Sequence, residues 1–133
     1  MGKYSDLSKN VYSVFDLAGW KALNIKTFPN NFIGIANGSD YIRVSVIPSG
    51  DGVNLKSSSG LVNIDIFVKA GLGPNAIYTI SDSLDNYLVG KSITIGNNVT
   101  QFKNSSVSII GVDKDNSMLF RAIYAIPFNH YGV

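Results

Sequence analysis

Residues Gly60 to Leu88 restrict the possible folds more than any other stretch. Val62, Ile64, Ile66 and Val68 alternate with Asn63, Asp65, Phe67 and Lys69. A period of two puts the first set on one side of a strand and the second on the other. Gly71-Leu72-Gly73-Pro74 then forms a corner. Beyond it, Ile77, Ile80, Leu84, Tyr87 and Leu88 fall at spacings that draw one apolar stripe along a helix. A strand with one apolar face, followed at once by a helix with one apolar stripe, predicts a helix packed on a sheet.

The remaining segments extend that plan. Asp6 or Ser5 caps a first helix over about 5–18, with Leu7, Val11, Val14, Phe15 and Ala18 on one side. Trp20 to Gly38 is irregular, with short strands around Ile25–Phe28 and Phe32–Ile35 and a turn at Asn37-Gly38. Tyr41–Pro48 alternates Ile42, Val44 and Val46 against Tyr41, Arg43, Ser45 and Ile47, and is a strand. Ser49–Gly60 is a Gly/Ser-rich flexible connection, so Tyr41–Pro48 and the Val62–Val68 strand form a long-looped antiparallel pair. Ser92–Ile95 is a short strand and Gly96-Asn97-Asn98 a turn. Ser106–Asp113 and Met118–Phe128 are strands joined tightly at Lys114-Asp115-Asn116, the best hairpin in the chain. Pro127 suits an edge or the end of a strand. The expectation is an α+β fold: a single mostly antiparallel or mixed β-sheet with two helices packed on one face.

At 133 residues with 45% apolar content, one domain spanning 1–133 is expected, with a sheet–helix–sheet core over about 41–128. A net charge of +2 gives no electrostatic argument for nucleic acid. The absence of cysteine removes disulfides and thiolate metal sites. The first fifteen residues carry no signal-peptide pattern, no apolar run reaches the roughly 20 residues of a membrane helix, and Asp6 stands where a myristoylation signal needs Ser or Thr. Every acidic residue is Asp.

Few motifs suggest chemistry. Gly71 to Ala76 matches the glycine spacing of a dinucleotide fingerprint between a strand and a helix. Pro74, however, removes a backbone N–H where a pyrophosphate needs donors, and no ribose-binding acid follows in a parallel unit. A glycine corner with proline at the first helical position explains it. Gly90-Lys91-Ser92 resembles the end of a phosphate loop but closes a helix instead of opening one. His130, the only histidine, reads as a solvated residue near the end of the sequence. Asp82 and Asp85 read as a solvated helix face, and three Asn-x-Ser/Thr sequons read as chance in a chain rich in Asn and Ser. The reading is no enzyme, with no catalytic, cofactor-binding or metal-ligating residues and no cofactor.

The polar face of the strands is more suggestive. Tyr41, Arg43, Asp65, Phe67 and Lys69 project opposite the Ile/Val face, with Arg121 nearby. Aromatic and charged groups on strands whose other face already supplies the core suggest contact with a partner. The Ser49–Ser59 loop, through Ser49, Asp51, Asn54, Lys56 and Ser58, projects from the sheet and is a second candidate for reaching a neighbour.

Taken together, YIRVSVIPSG, SGLVNIDIFVKAGLGPNA, the helix ending LDNYLVGK and the closing MLFRAIYAIPF resemble the tail-terminator proteins of long-tailed bacteriophages. The positions carrying the resemblance are Tyr41, Arg43, Pro48, Gly60, Ile64, Asp65, Ile66, Phe67, Gly71 and Gly73, with Ile123 to Phe128 at the close. It spans about Tyr41 to Phe128 and assigns no role to the Ser49–Ser59 loop. The resemblance implies a structural virion protein of the phage tail or neck, made in the host cytoplasm. It implies a homo-oligomeric ring, a hexamer in the family, that caps the tail tube, ends its polymerisation and helps join tail to head. The implied partners are the chain itself, the tail-tube protein and the head-side connector, with no membrane and no sequence-specific nucleic acid. The alternatives are another neck or tail-tube assembly protein, or a small nucleotide- or ligand-binding domain using the Gly71–Ala76 corner.

Overall fold

A computed structural model describes residues 3–23, 25–29, 40–51, 57–69, 71, 74–112 and 119–132. Its elements in chain order are α1 (Lys3–Phe15), α2 (Ala18–Lys21), β1 (Lys26–Pro29), β2 (Tyr41–Asp51), β3 (Ser58–Lys69), α3 (Asn75–Leu88), β4 (Ser92–Ile95), β5 (Asn98–Phe102), β6 (Ser106–Val112) and β7 (Leu119–Tyr131). The fold is α+β, with one curled, mostly antiparallel sheet and helices against one of its faces.

The sheet runs β1-β2-β3-β7-β5-β4, with β6 also paired to β7. Among the described residues, only the β1–β2 pairing is parallel. The central strands β3 and β7 are in continuous antiparallel register, from Ser58 opposite His130 to Lys69 opposite Leu119. The free side of β7 is shared. β6 covers Phe120 to Ala125 and β5 covers Phe128 to Tyr131. α3 carries the chain from β3 to β4, across β7 and β5.

One apolar core fills the space between sheet and helices. β3 contributes Val62, Ile64, Ile66 and Val68, all buried, and α3 contributes Ile77, Ile80, Leu84 and Leu88. From β7 come Ala122, Tyr124, Ile126 and Phe128, and from α1 come Leu7, Val11, Val14 and Phe15. Here the period-two and helical patterns of the sequence meet as expected.

Several expectations are corrected. α1 begins at Lys3, so Asp6 lies in its first turn and does not cap it. The helix stops at Phe15 because Leu17 is extended, with ψ 138°. Ala18 consequently opens α2 and is exposed. Trp20 does not sit in an irregular stretch: it lies in α2 and is buried edge-on against Phe15 (5.2 Å) and Tyr87 (5.5 Å). The connection between β2 and β3 is shorter than expected. Ser49 to Asp51 extend β2 and Ser58 to Gly60 extend β3, with Gly50 opposite Ser59 and Asp51 opposite Ser58 after an irregularity at Pro48. β5 was not expected; it follows the turn at Gly96, whose φ is +61°. Helix α3 starts one residue later than expected, with Pro74 as its cap residue.

Pro127 occupies the middle of a central strand. Its carbonyl accepts from the Lys103 N–H at 2.9 Å. In a strand, N–H and C=O of one residue point the same way, so the missing proline donor faces the gap between β5 and β6 and costs no ladder bond with β3. The expected elements at Phe32–Ile35, Asn37-Gly38 and Lys114-Asp115-Asn116 lie outside the described residues.

Candidate interaction site on the outer sheet face

The face of the sheet away from the helices is built by the odd-numbered positions of β2 and β3. The register sets Tyr41 opposite Phe67, and Phe67 opposite Arg121. One row along, Arg43 faces Asp65. Cross-strand neighbours of this kind have Cβ atoms about 5 Å apart, so their side chains must interact.

They do so as one cluster. The Tyr41 ring stacks on Phe67 with centroids 4.5 Å apart and an interplanar angle of 13°. Phe28 of β1 meets Tyr41 edge-on at 5.8 Å. The guanidinium of Arg43 lies 5.2 Å, and that of Arg121 5.6 Å, from the Phe67 ring centroid. The negative ring face attracts both cations. Arg121 Nη2 donates to Asp65 Oδ1 at 2.8 Å. Arg43 Nε stands 3.8 Å from Asp65 Oδ2, an ion pair without a hydrogen bond.

Five of the six interface residues expected from sequence are thus brought together: Tyr41, Arg43, Asp65, Phe67 and Arg121. Lys69 is exposed at the end of β3, and its backbone N–H binds Asp40. One role changes. Phe67 is 1% exposed, so it is no contact surface; it is the platform on which Tyr41, Arg43 and Arg121 rest. The sequence reading also missed Phe28, because nothing local in Lys26–Pro29 reveals that this strand lies beside Tyr41.

The second candidate, the loop, holds together less well. Asn54 and Lys56 lie outside the described residues. Ser49 and Asp51 belong to β2, and Ser58 is a buried β3 residue, 3% exposed. Ser58 is therefore corrected from loop to sheet, because the β2–β3 ladder continues past the bulge.

Two polar sites on the helix side were not expected. His130 is buried at 1% exposure, not solvated. Asn10 Nδ2 donates to Thr100 Oγ1 at 2.9 Å, and Thr100 Oγ1 lies 2.8 Å from His130 Nδ1. The Thr100 hydroxyl can donate and accept at once, so the imidazole tautomer sets which of the two atoms carries the shared proton. The His130 Nε2 is buried and has no partner among the described residues. Burial pushes the His130 pKa below its usual value, partly opposed by the charge of Asp6. Asp85 is not on a wet helix face either. Its Oδ1 accepts from both the Tyr124 hydroxyl and Ser105 Oγ, each at 2.6 Å. Burial, followed by the Asp85 bond, raises the Tyr124 pKa well above that of free tyrosine. Asp82 is exposed, as expected. At the glycine corner, Gly71 has φ +88° and Pro74 sits at the helix start; Leu72 and Gly73 lie outside the described residues.

Comparison with known proteins finds no matching family model and no matching curated protein. A solved structure, described only by a sequence identifier, superposes with a TM-score of 0.64 at 12% identity, covering 95% of this chain and 96% of its own. At that identity the likeness establishes a shared α+β fold over nearly the whole chain.

Proposed function

We propose that this chain is a structural phage virion protein of the tail-terminator type, forming a homo-oligomeric ring that caps the tail tube and helps join tail to head. The observation that supports this reading best is the Tyr41/Arg43/Asp65/Phe67/Arg121 cluster. It is an organised aromatic–guanidinium patch on a sheet face that the core does not need. Arginine and tyrosine held rigidly are the residue types that concentrate binding energy at interfaces, and a carboxylate beside them sets orientation. Farther along the same face, Ile47 and Leu61 are opposed in register and both exposed, which extends the patch with apolar area. The capping is steric and interfacial: a ring seats on the last ring of the tube, covers its growing surface and leaves its other side for the connector. This role requires no cofactor and no turnover.

Mass measurement and negative-stain microscopy test the reading, on the protein alone and mixed with tail tubes of the phage that encodes it. Closed rings, free or seated at one tube end, are expected. Protein that forms no ring and binds no tube end in either sample overturns it. A long filament of this chain would favour a tube protein instead.

A further inference from the structure

The side chain of Arg43 is held in place yet underused. Its guanidinium lies over Phe67 and makes no hydrogen bond among the described residues, and its Nε is buried without an acceptor. The nearest carboxylate, Asp65, already accepts from Arg121 through Oδ1. With the side chain 32% exposed, the donor fork is reachable from outside. A planar fork of this kind matches a carboxylate in two-point geometry.

The chain itself offers such a carboxylate on its opposite side. α3 carries two charges, Asp82 and Asp85, and no basic residue. Asp85 is committed to Tyr124 and Ser105. Asp82 is exposed and has no hydrogen bond or ion pair among the described residues. One turn before it, Tyr78 is 47% exposed. Positions i and i+4 share a helix face, so Tyr78 and Asp82 form an aromatic–acidic stripe pointing away from the core. Because α3 packs on the inner sheet face and Arg43 projects from the outer one, the two cannot meet within one molecule.

We propose that Asp82 of one copy pairs with Arg43 of the next, seating the outer stripe of α3 on the neighbour's Tyr41/Arg43 patch. This names the ring contact of the function proposed above and rests on that reading. The contact joins two different surfaces, so it is heterologous. Repetition of a heterologous contact closes into a ring when the rotation allows it. Opposite charges fix the register, and the stacked aromatics supply the platform.

Charge reversal tests it. Asp82→Arg faces Arg43 across the contact, and Arg43→Asp faces Asp82. Each alone should lower the ring fraction, or the fraction of capped tube ends, more than tenfold. Mixing the two variants in equal amounts should restore assembly, because each contact then pairs one Asp with one Arg. Arg43→Asp also sets a second carboxylate beside Asp65 and can unfold the chain. Asp82→Arg, at an exposed helix position, therefore carries the test alone, with circular dichroism confirming its fold. If wild-type protein assembles and folded Asp82→Arg assembles equally well, this contact is overturned and the ring reading stands. If wild-type protein neither forms rings nor caps tubes, both fall together.

Discussion

His130 shows how much one residue's environment decides. The neutral ring fits its site, with Nδ1 hydrogen-bonded to Thr100 and Nε2 buried. A protonated ring would need acceptors on both sides. Its pKa is lowered in the fold from the ordinary 6.5, so below about that pH the unfolded chain binds more protons than the folded one. Stability is therefore fully present above the unfolded value and is lost as pH falls through it, by at most about 1.4 kcal/mol per pH unit for one group. Urea melts between pH 7.5 and 5.5 should show this slope, and His130→Gln should flatten it. An equal slope in His130→Gln would mean that other groups carry the acid sensitivity. The burial of His130 was within reach of the sequence. Ala122, Tyr124, Ile126 and Phe128 alternate inward, and continuing β7 two residues past Phe128 places His130 on the same face. Its partners Asn10 and Thr100 were not legible, since only the tertiary fold brings α1 over β5.

Among the elements, those with a strong period were read well. β3 from Val62 to Val68 and α3 keep their patterns, and burial wins over any local preference. Leu84 is fully buried between α3 and the sheet. Leu84→Ala should cost about 2–5 kcal/mol in a denaturant melt, as deletion of a buried leucine does; an unchanged midpoint would show that the stripe is not in the core. Elements fixed by their neighbours were read poorly. β5 and the outer ends of β2 and β3 are short or rich in Ser, Gly and Asn, and pairing alone makes them strands. Gly60 marks that ladder. A Cβ there would collide with the Ile47 carbonyl oxygen and crowd Pro48 Cα. The obstacle is backbone, which cannot step aside as a side-chain tip can. Gly60→Ala should thus destabilise by about 1–3 kcal/mol, the usual cost of overpacking. Gly96, with open space around it, offers no such obstacle, and its substitution should be felt only through its positive φ. A Gly60→Ala midpoint equal to wild type would show that β2 and β3 separate more easily than their register implies.

At the scale of the whole molecule, the sequence placed the weight of the fold in residues 41–128 and treated the first forty residues as a helix with a variable connection. The structure distributes that weight differently. Leu7, Val11, Val14 and Phe15 of α1 and Trp20 of α2 belong to the same buried cluster as β2, β3, β5, β7 and α3. The Tyr12 hydroxyl bonds the Val44 carbonyl at 2.9 Å, and Trp20 Nε1 bonds Thr27 Oγ1 at 2.9 Å. Helix α1 closes one side of the core and caps its buried polar pair. Without it, Ile42 and Val44 face water, and Thr100 and His130 lose Asn10. Burial of each large apolar side chain contributes roughly 1.5–3 kcal/mol, so losing four in α1 and Trp20 approaches or exceeds the 5–15 kcal/mol that holds a typical domain together. A fragment beginning at residue 23 should therefore lack a cooperative thermal transition and bind a hydrophobic dye, while the full chain melts in one step. Dispersed amide resonances and a sharp melt from that fragment would show that the sheet and α3 fold without the N-terminal helices. The resemblance-bearing segment would then be an autonomous unit.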